Sequence, residues 1–237
     1  MTHLYLIRHA EAVAAVKNMI GDTGLTPFGI TQAEHLRDRL AATGEIAADV
    51  LIASTFLRAK QTAEIIAPAL GLPIVWDDEV QEFRPGESDG MHVQEAREKF
   101  GQVDIEQNPF QQVAPGGENW GQFMLRVGTA LNRITRQYDG KTIVVVCHGG
   151  VIDGSFLYFF KMGTLHAPPI RFYTHNTSIT HWQKEAFYGR SPHWRLIKYN
   201  DDMHLRDIGS PARIPWEEIY ARPQAGADQP QAPLPTE

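Results

Sequence analysis

The stretch Leu4-Tyr5-Leu6-Ile7-Arg8-His9-Ala10-Glu11 limits most sharply what this chain can become. An apolar run of this length, bounded by polar residues, reads as a buried strand. It stops abruptly on Arg-His-Ala-Glu, and such groups are costly if merely buried. At the carboxyl edge of a parallel sheet, where α/β folds put their ligands, they have a use. The pattern returns further along. Thr142 to Cys147 is apolar after its threonine, as central parallel strands are, and it runs into His148-Gly149-Gly150. A third run, Val50 to Ala53, ends at Ser54-Thr55 with Arg58 just behind it.

The segments between these runs supply the rest of an α/β fold. Residues 12–24 read as a loop with room for one helical turn. Leu25-Thr26-Pro27-Phe28-Gly29 reads as punctuation, with Thr31 as the next N-cap, Glu34 as its capping-box partner, and a helix to about Ala42. Helices are expected at 57–70, stopped by Gly71, at 118–138 and at 151–160, with strands at 74–76, 177–183 and 194–199. Residues 77–117, rich in Asp, Glu, Gly and Pro with one helical stretch near 92–100, read as an insertion over the sheet edge. The expected fold class is α/β: a three-layer α/β/α sandwich with a mostly parallel central sheet. Residues 221–237, rich in Pro, Ala and Gln, read as a disordered tail beyond a domain ending near residue 220.

Composition excludes several functions. A formal net charge of −6 argues against a general nucleic-acid binder, which carries a basic face. A single cysteine, Cys147, forbids an intrachain disulfide, fits a reducing compartment and suits a small core residue. The first apolar run is too short and too charged for a signal peptide, and no stretch reads as a membrane span. A cytoplasmic protein without nucleic-acid or membrane partners is expected. The ten histidines show no metal-ligand spacing.

If the three strands lie side by side, two histidines and two arginines converge on one edge and form a pocket for a dianion. Arginine offers a forked, permanently charged donor set suited to phosphate. Glycines after His148 let a ligand approach the backbone, and the helix N-terminus beyond them favours anions. An imidazole with a reference pKa of about 6.5 keeps a free lone pair near neutral pH. Its attack on phosphorus splits one hard displacement into two easier ones. The leaving alcohol needs a proton. Asp78, Glu79, Glu82, Glu87 and Asp89 all crowd the segment over the edge, and composition does not choose among them.

The chain resembles the histidine phosphatase superfamily, the phosphoglycerate-mutase-like fold. Arg8-His9-Ala10-Glu11 matches its Arg-His-Gly-Glu signature, with Ala10 in place of glycine. Leu25-Thr26-Pro27-Phe28-Gly29-Ile30-Thr31-Gln32-Ala33 matches its Leu-Thr-x-x-Gly-x-x-Gln-Ala segment, and Ser54 to Ala63 its Ser-x-x-x-Arg-Ala-x-x-Thr-Ala segment. Glu82 to Gly86 with Asp89-Gly90, then Gly116-Gly117-Glu118, then His148-Gly149-Gly150 follow in family order. Each match is weak alone; six in order are strong.

The resemblance implies that His9 is the phosphorylated nucleophile and Glu82 the proton donor, then the base for water. It implies that Arg8, Arg58, His148 and Gly149 bind the phosphoryl group, with no metal and no cofactor, on a phosphorylated small-molecule substrate. Metal-independent hydrolysis of phosphate monoesters is the expected activity. Two alternatives are a cofactor-dependent phosphoglycerate mutase and a catalytically weak phospho-ligand binding protein. The middle of the chain lacks the Arg-Arg and Pro-rich element of the mutases. Gly86-Glu87-Ser88-Asp89-Gly90 also fits a Gly-x-Ser-x-Gly nucleophile elbow, but no strand precedes the serine as an elbow requires.

Overall fold

The computed structural model describes residues 1–163, 172–187 and 190–208. The tail expected at 221–237 and the boundary near 220 lie outside them. One six-stranded sheet organises the molecule: β1 (Thr2–Arg8), β2 (Val50–Ser54), β3 (Ile74–Asp77), β4 (Thr142–Cys147), β5 (Ile179–Phe187) and β6 (Arg190–Asp201). Their order is β3-β2-β4-β1-β5-β6. The first four are mutually parallel, while β5 and β6 run antiparallel beside β1, so the sheet is mostly parallel as expected. The helices are α1 (Val13–Val16), α2 (Pro27–Thr43), α3 (Leu57–Leu70), α4 (Val93–Phe100), α5 (Trp120–Gln137) and α6 (Gly149–Phe159). No helix among the described residues is long and apolar enough to cross a membrane.

Strand alternation sorts the core into two layers. Ile143, Val145 and Cys147 of β4 pack with Phe123, Val127 and Ile134 of α5 and with Val151 and Phe156 of α6. Val144 and Val146 turn the other way, toward Leu36 and Leu40 of α2 and Ala59, Ala63 and Ile66 of α3. Both sets are inaccessible to solvent, which is why β4 is apolar on both faces. Each such side chain contributes about 1.5–3 kcal/mol of burial.

The start of α2 differs from the sequence expectation. Its N-cap is Thr26, whose hydroxyl accepts the Gly29 N–H at 2.9 Å, with Pro27 in the first turn. Thr31 lies inside the helix and donates to the Pro27 carbonyl at 3.3 Å. Gly29 disguises the start as a loop. A Cβ there would stand 2.1 Å from the Glu11 carbonyl oxygen, so this glycine serves close packing rather than a turn. Helix α6 begins at Gly149, two residues earlier than expected. Helix α5 is capped by Asn119, which forms a reciprocal capping box with Gln122.

Candidate active site

The register of β1 against β4 sets Arg8 opposite Cys147, and the His9 N–H donates to the Cys147 carbonyl at 2.9 Å. The two strands therefore end flush. His9 and His148 follow as neighbours with ring centroids 5.0 Å apart, both buried. Arg58, in the first turn of α3, reaches in from the end of β2 and sets its Nε 3.2 Å from His9 Nε2. Arg8 donates to the Thr174 carbonyl, and its Nε is buried without a hydrogen-bond partner among the described residues. Gly149 lies beside it, so that a Cβ there would be 3.8 Å from Arg8 Nε. The structure thus brings together Arg8, His9, Arg58, His148 and Gly149.

The hydrogen bonds define the His9 tautomer. His9 Nδ1 stands 2.7 Å from the Ala10 carbonyl, which can only accept, so Nδ1 carries the proton. Arg58 Nε–H can only donate, so His9 Nε2 presents its lone pair. For His148, the Ser54 hydroxyl 2.8 Å from Nε2 already accepts the Phe56 N–H at 3.3 Å. His148 Nδ1 is buried with no partner among the described residues. Burial, then the Arg58 and Arg8 charges, hold His9 well below the usual histidine pKa. Burial, then Arg58, does the same to His148. Both rings are neutral near pH 7. Burial also lowers the pKa of Arg8 and Arg58, opposed chiefly by the Glu82 carboxylate. Such a pocket suits a dianion, because two guanidiniums there lack full solvation.

The sequence motifs turn out to be braces for this floor. Thr62 accepts the Ala10 N–H at 3.0 Å, and buried Gln32 accepts the Glu11 N–H at 2.8 Å. Glu11 accepts from the Thr26 hydroxyl at 2.7 Å, so its role is to hold the loop. Other contacts carry no sequence signal. Asp22 caps α3 by accepting the Leu57 N–H, and it pairs with Arg58 at 3.4 Å. Asn176, just before the strand expected at 177–183, donates its amide to the His9 carbonyl at 2.9 Å.

The five candidate acids part company in space. Asp78 and Glu79 are engaged by Thr55 and by Arg84. Glu87 is exposed, as is Asp89, which accepts the Asp22 N–H at 3.3 Å. Glu82 alone of the five bonds the first turn of α6, accepting the Gly150 N–H at 3.0 Å on Oε2 while Oε1 accepts the Phe83 N–H at 3.0 Å. Ser88 of the rival elbow is buried in a 3-10 turn, not on a strand, and its hydroxyl donates to the Pro85 carbonyl.

A mostly parallel sheet whose strand ends present Arg-His and His-Gly-Gly side by side defines a class of α/β protein with a basic, ligand-facing edge. Comparison makes the class specific. Residues 4–202 match the histidine phosphatase superfamily, branch 1, and the chain belongs to that family. It is 29% identical over 181 residues to a 2,3-bisphosphoglycerate-dependent phosphoglycerate mutase of Methylobacterium, covering 72% of this chain and 86% of that one. It is 25% identical over 218 residues to a metal-independent phosphoserine phosphatase of Arabidopsis thaliana, covering 88% and 85%. Among solved structures, a phosphoserine phosphatase mutant from Entamoeba histolytica in complex with phosphoserine is 26% identical. It superposes with a TM-score of 0.67 over 86% of this chain and 100% of that one.

Proposed function

We propose that this protein is a metal-independent phosphatase that hydrolyses phosphate monoesters of small molecules through a phosphohistidine on His9. The observation that carries the reading is the neutral His9 ring, with its proton on Nδ1 and its Nε2 lone pair beside the Arg58 guanidinium. The substrate phosphate takes over the Arg58 N–H, which frees the Nε2 lone pair, and Nε2 attacks phosphorus as the ester oxygen departs opposite. Arg8, Arg58 and His148 stabilise the charge on the equatorial oxygens, the main task in phosphoryl transfer. Glu82 takes up a proton as the substrate dianion binds beside it and gives that proton to the departing alkoxide. It then takes a proton from water, whose oxygen attacks the phosphohistidine, releasing inorganic phosphate and restoring His9. The Gly150 N–H that holds Glu82 fits this assignment over the four other acids.

A panel of phosphorylated metabolites, including phosphoserine and 3-phosphoglycerate, tests the reading with and without a chelator. Hydrolysis of at least one ester should survive the chelator and fall to background in His9→Ala. Loss of all activity on chelation, or turnover by His9→Ala, would overturn it. The Methylobacterium relative keeps a mutase reading in view. Adding a bisphosphoglycerate primer separates the two: a mutase moves phosphate between carbons, a phosphatase releases it.

A further inference from the structure

Arg126 lies on the buried face of α5, between Phe123 and Val127, and is only 7% exposed. A guanidinium has five N–H donors, and here every one is used. Nε–H and one Nη2–H form a fork onto Glu118, at 2.7 and 2.6 Å. The two Nη1–H groups go to the carbonyls of Glu79 and Gln81, each at 2.9 Å. The second Nη2–H goes to the carbonyl of Glu82 at 3.2 Å. Glu118 completes the clasp. Its Oε2 accepts the Arg84 N–H at 2.9 Å, and its own N–H donates to the Arg84 carbonyl at 2.9 Å. The backbone is thereby gripped at Glu82 and on both sides of it.

We infer that Arg126 and Glu118 are positioning residues for the general acid. They fix the backbone of 79–84 so that the Glu82 carboxylate stands at the α6 N-terminus, over the histidine pocket. The inference rests on Glu82 being the proton donor. It accounts for a buried ion pair with no other evident use: such pairs seldom stabilise a fold over apolar packing, but a saturated one fixes geometry. Neither residue touches the reacting atoms. Their effect must pass through Glu82, and this distinguishes them from a merely structural pair.

The test uses kcat/KM, which covers the steps up to departure of the leaving group and so isolates proton donation from hydrolysis of the phosphohistidine. Two substrates are compared: phosphoserine, whose alkoxide needs the proton, and 4-nitrophenyl phosphate, whose leaving group needs little. Arg126→Lys keeps the charge and loses the fork. It should lower kcat/KM for phosphoserine by about 10²-fold, the usual cost of a misplaced catalytic group, and for the aryl ester far less. In a Glu82→Gln background it should cause no further loss on phosphoserine. Equal losses on both esters, or a full additional loss in that background, would overturn the inference while leaving the proposed function standing. If Glu82→Gln itself shows no selectivity, the acid assignment fails, and the inference with it. Should Arg126→Lys not fold, Glu118→Gln is read by the same two criteria.

Discussion

The floor of the site and its wall are built by different means. The floor consists of strand and helix ends. Arg8 and His9 close β1, His148 closes β4, and Arg58 opens α3, each one residue or one turn from an apolar core without solvent access. Its geometry is inherited from strand pairing. The wall is an irregular segment whose acid, Glu82, sits between two 3-10 turns and is held by a clasp from a helix more than 40 residues away. Under the proposed function, a floor made from sheet register would serve every substrate alike, because each would bring the same phosphoryl group. A wall held by side chains would serve the leaving group, which differs between such esters.

The largest effect should come from crossing the two regions. Arg58→Lys removes a forked donor from the floor and should cost about 10²–10³ in kcat/KM, equally for phosphoserine and 4-nitrophenyl phosphate. Glu82→Gln strikes the wall and should cost about 10²–10⁴ on phosphoserine, with a much smaller loss on the aryl ester. If Arg58→Lys is leaving-group selective, or Glu82→Gln is not, the division between floor and wall is wrong.

A smaller effect should follow from moving the wall against the floor without removing a functional group. A Cβ on Gly150 would fall 2.3 Å from Glu82 Oε1 and 2.9 Å from Phe123 Cζ. Alanine favours a helix over glycine by up to about 1 kcal/mol, so the melting temperature of Gly150→Ala should change little. The displaced carboxylate should cost about tenfold on phosphoserine and less on the aryl ester, measured as kcat/KM. A melting temperature lowered by several degrees with both esters equally affected would show that the collision is absorbed by the fold instead.

The remaining effect is on stability rather than on rate: acid lability of the folded state. His9 and His148 are held well below the ordinary histidine pKa, and burial, joined by neighbouring positive groups, lowers His181 and His204 to about 4. The folded state therefore binds fewer protons than the unfolded one below pH ~6.5. Stability is undiminished above that pH and falls as pH drops toward 4. Urea midpoints should decline between pH 7.5 and 5, each histidine steepening the slope by at most about 1.4 kcal/mol per pH unit. A flat midpoint would contradict neutral histidines in the floor.

These contrasts separate what the sequence by itself determined from what the fold decided. Strand ends at Arg8-His9 and Cys147-His148 were legible because an apolar run stopping on ionisable groups is a local pattern. Ser54, Arg58 and Thr62 were legible as a motif, though not as partners of His148, His9 and Ala10. The start of α2 was misread because Gly29, which looks like a loop signal, answers to a backbone contact with Glu11 far from its own turn. Glu82 could be chosen from five acids only by family spacing, since its distinguishing bond is to Gly150, 68 residues on. Arg126 left one faint mark, a charge within an apolar helix face. Asp22 left none, and Asn176 only its place before an expected strand. A side chain that hydrogen-bonds across 36 or 167 residues imposes no periodicity on its neighbours, so only the folded chain reveals its partner.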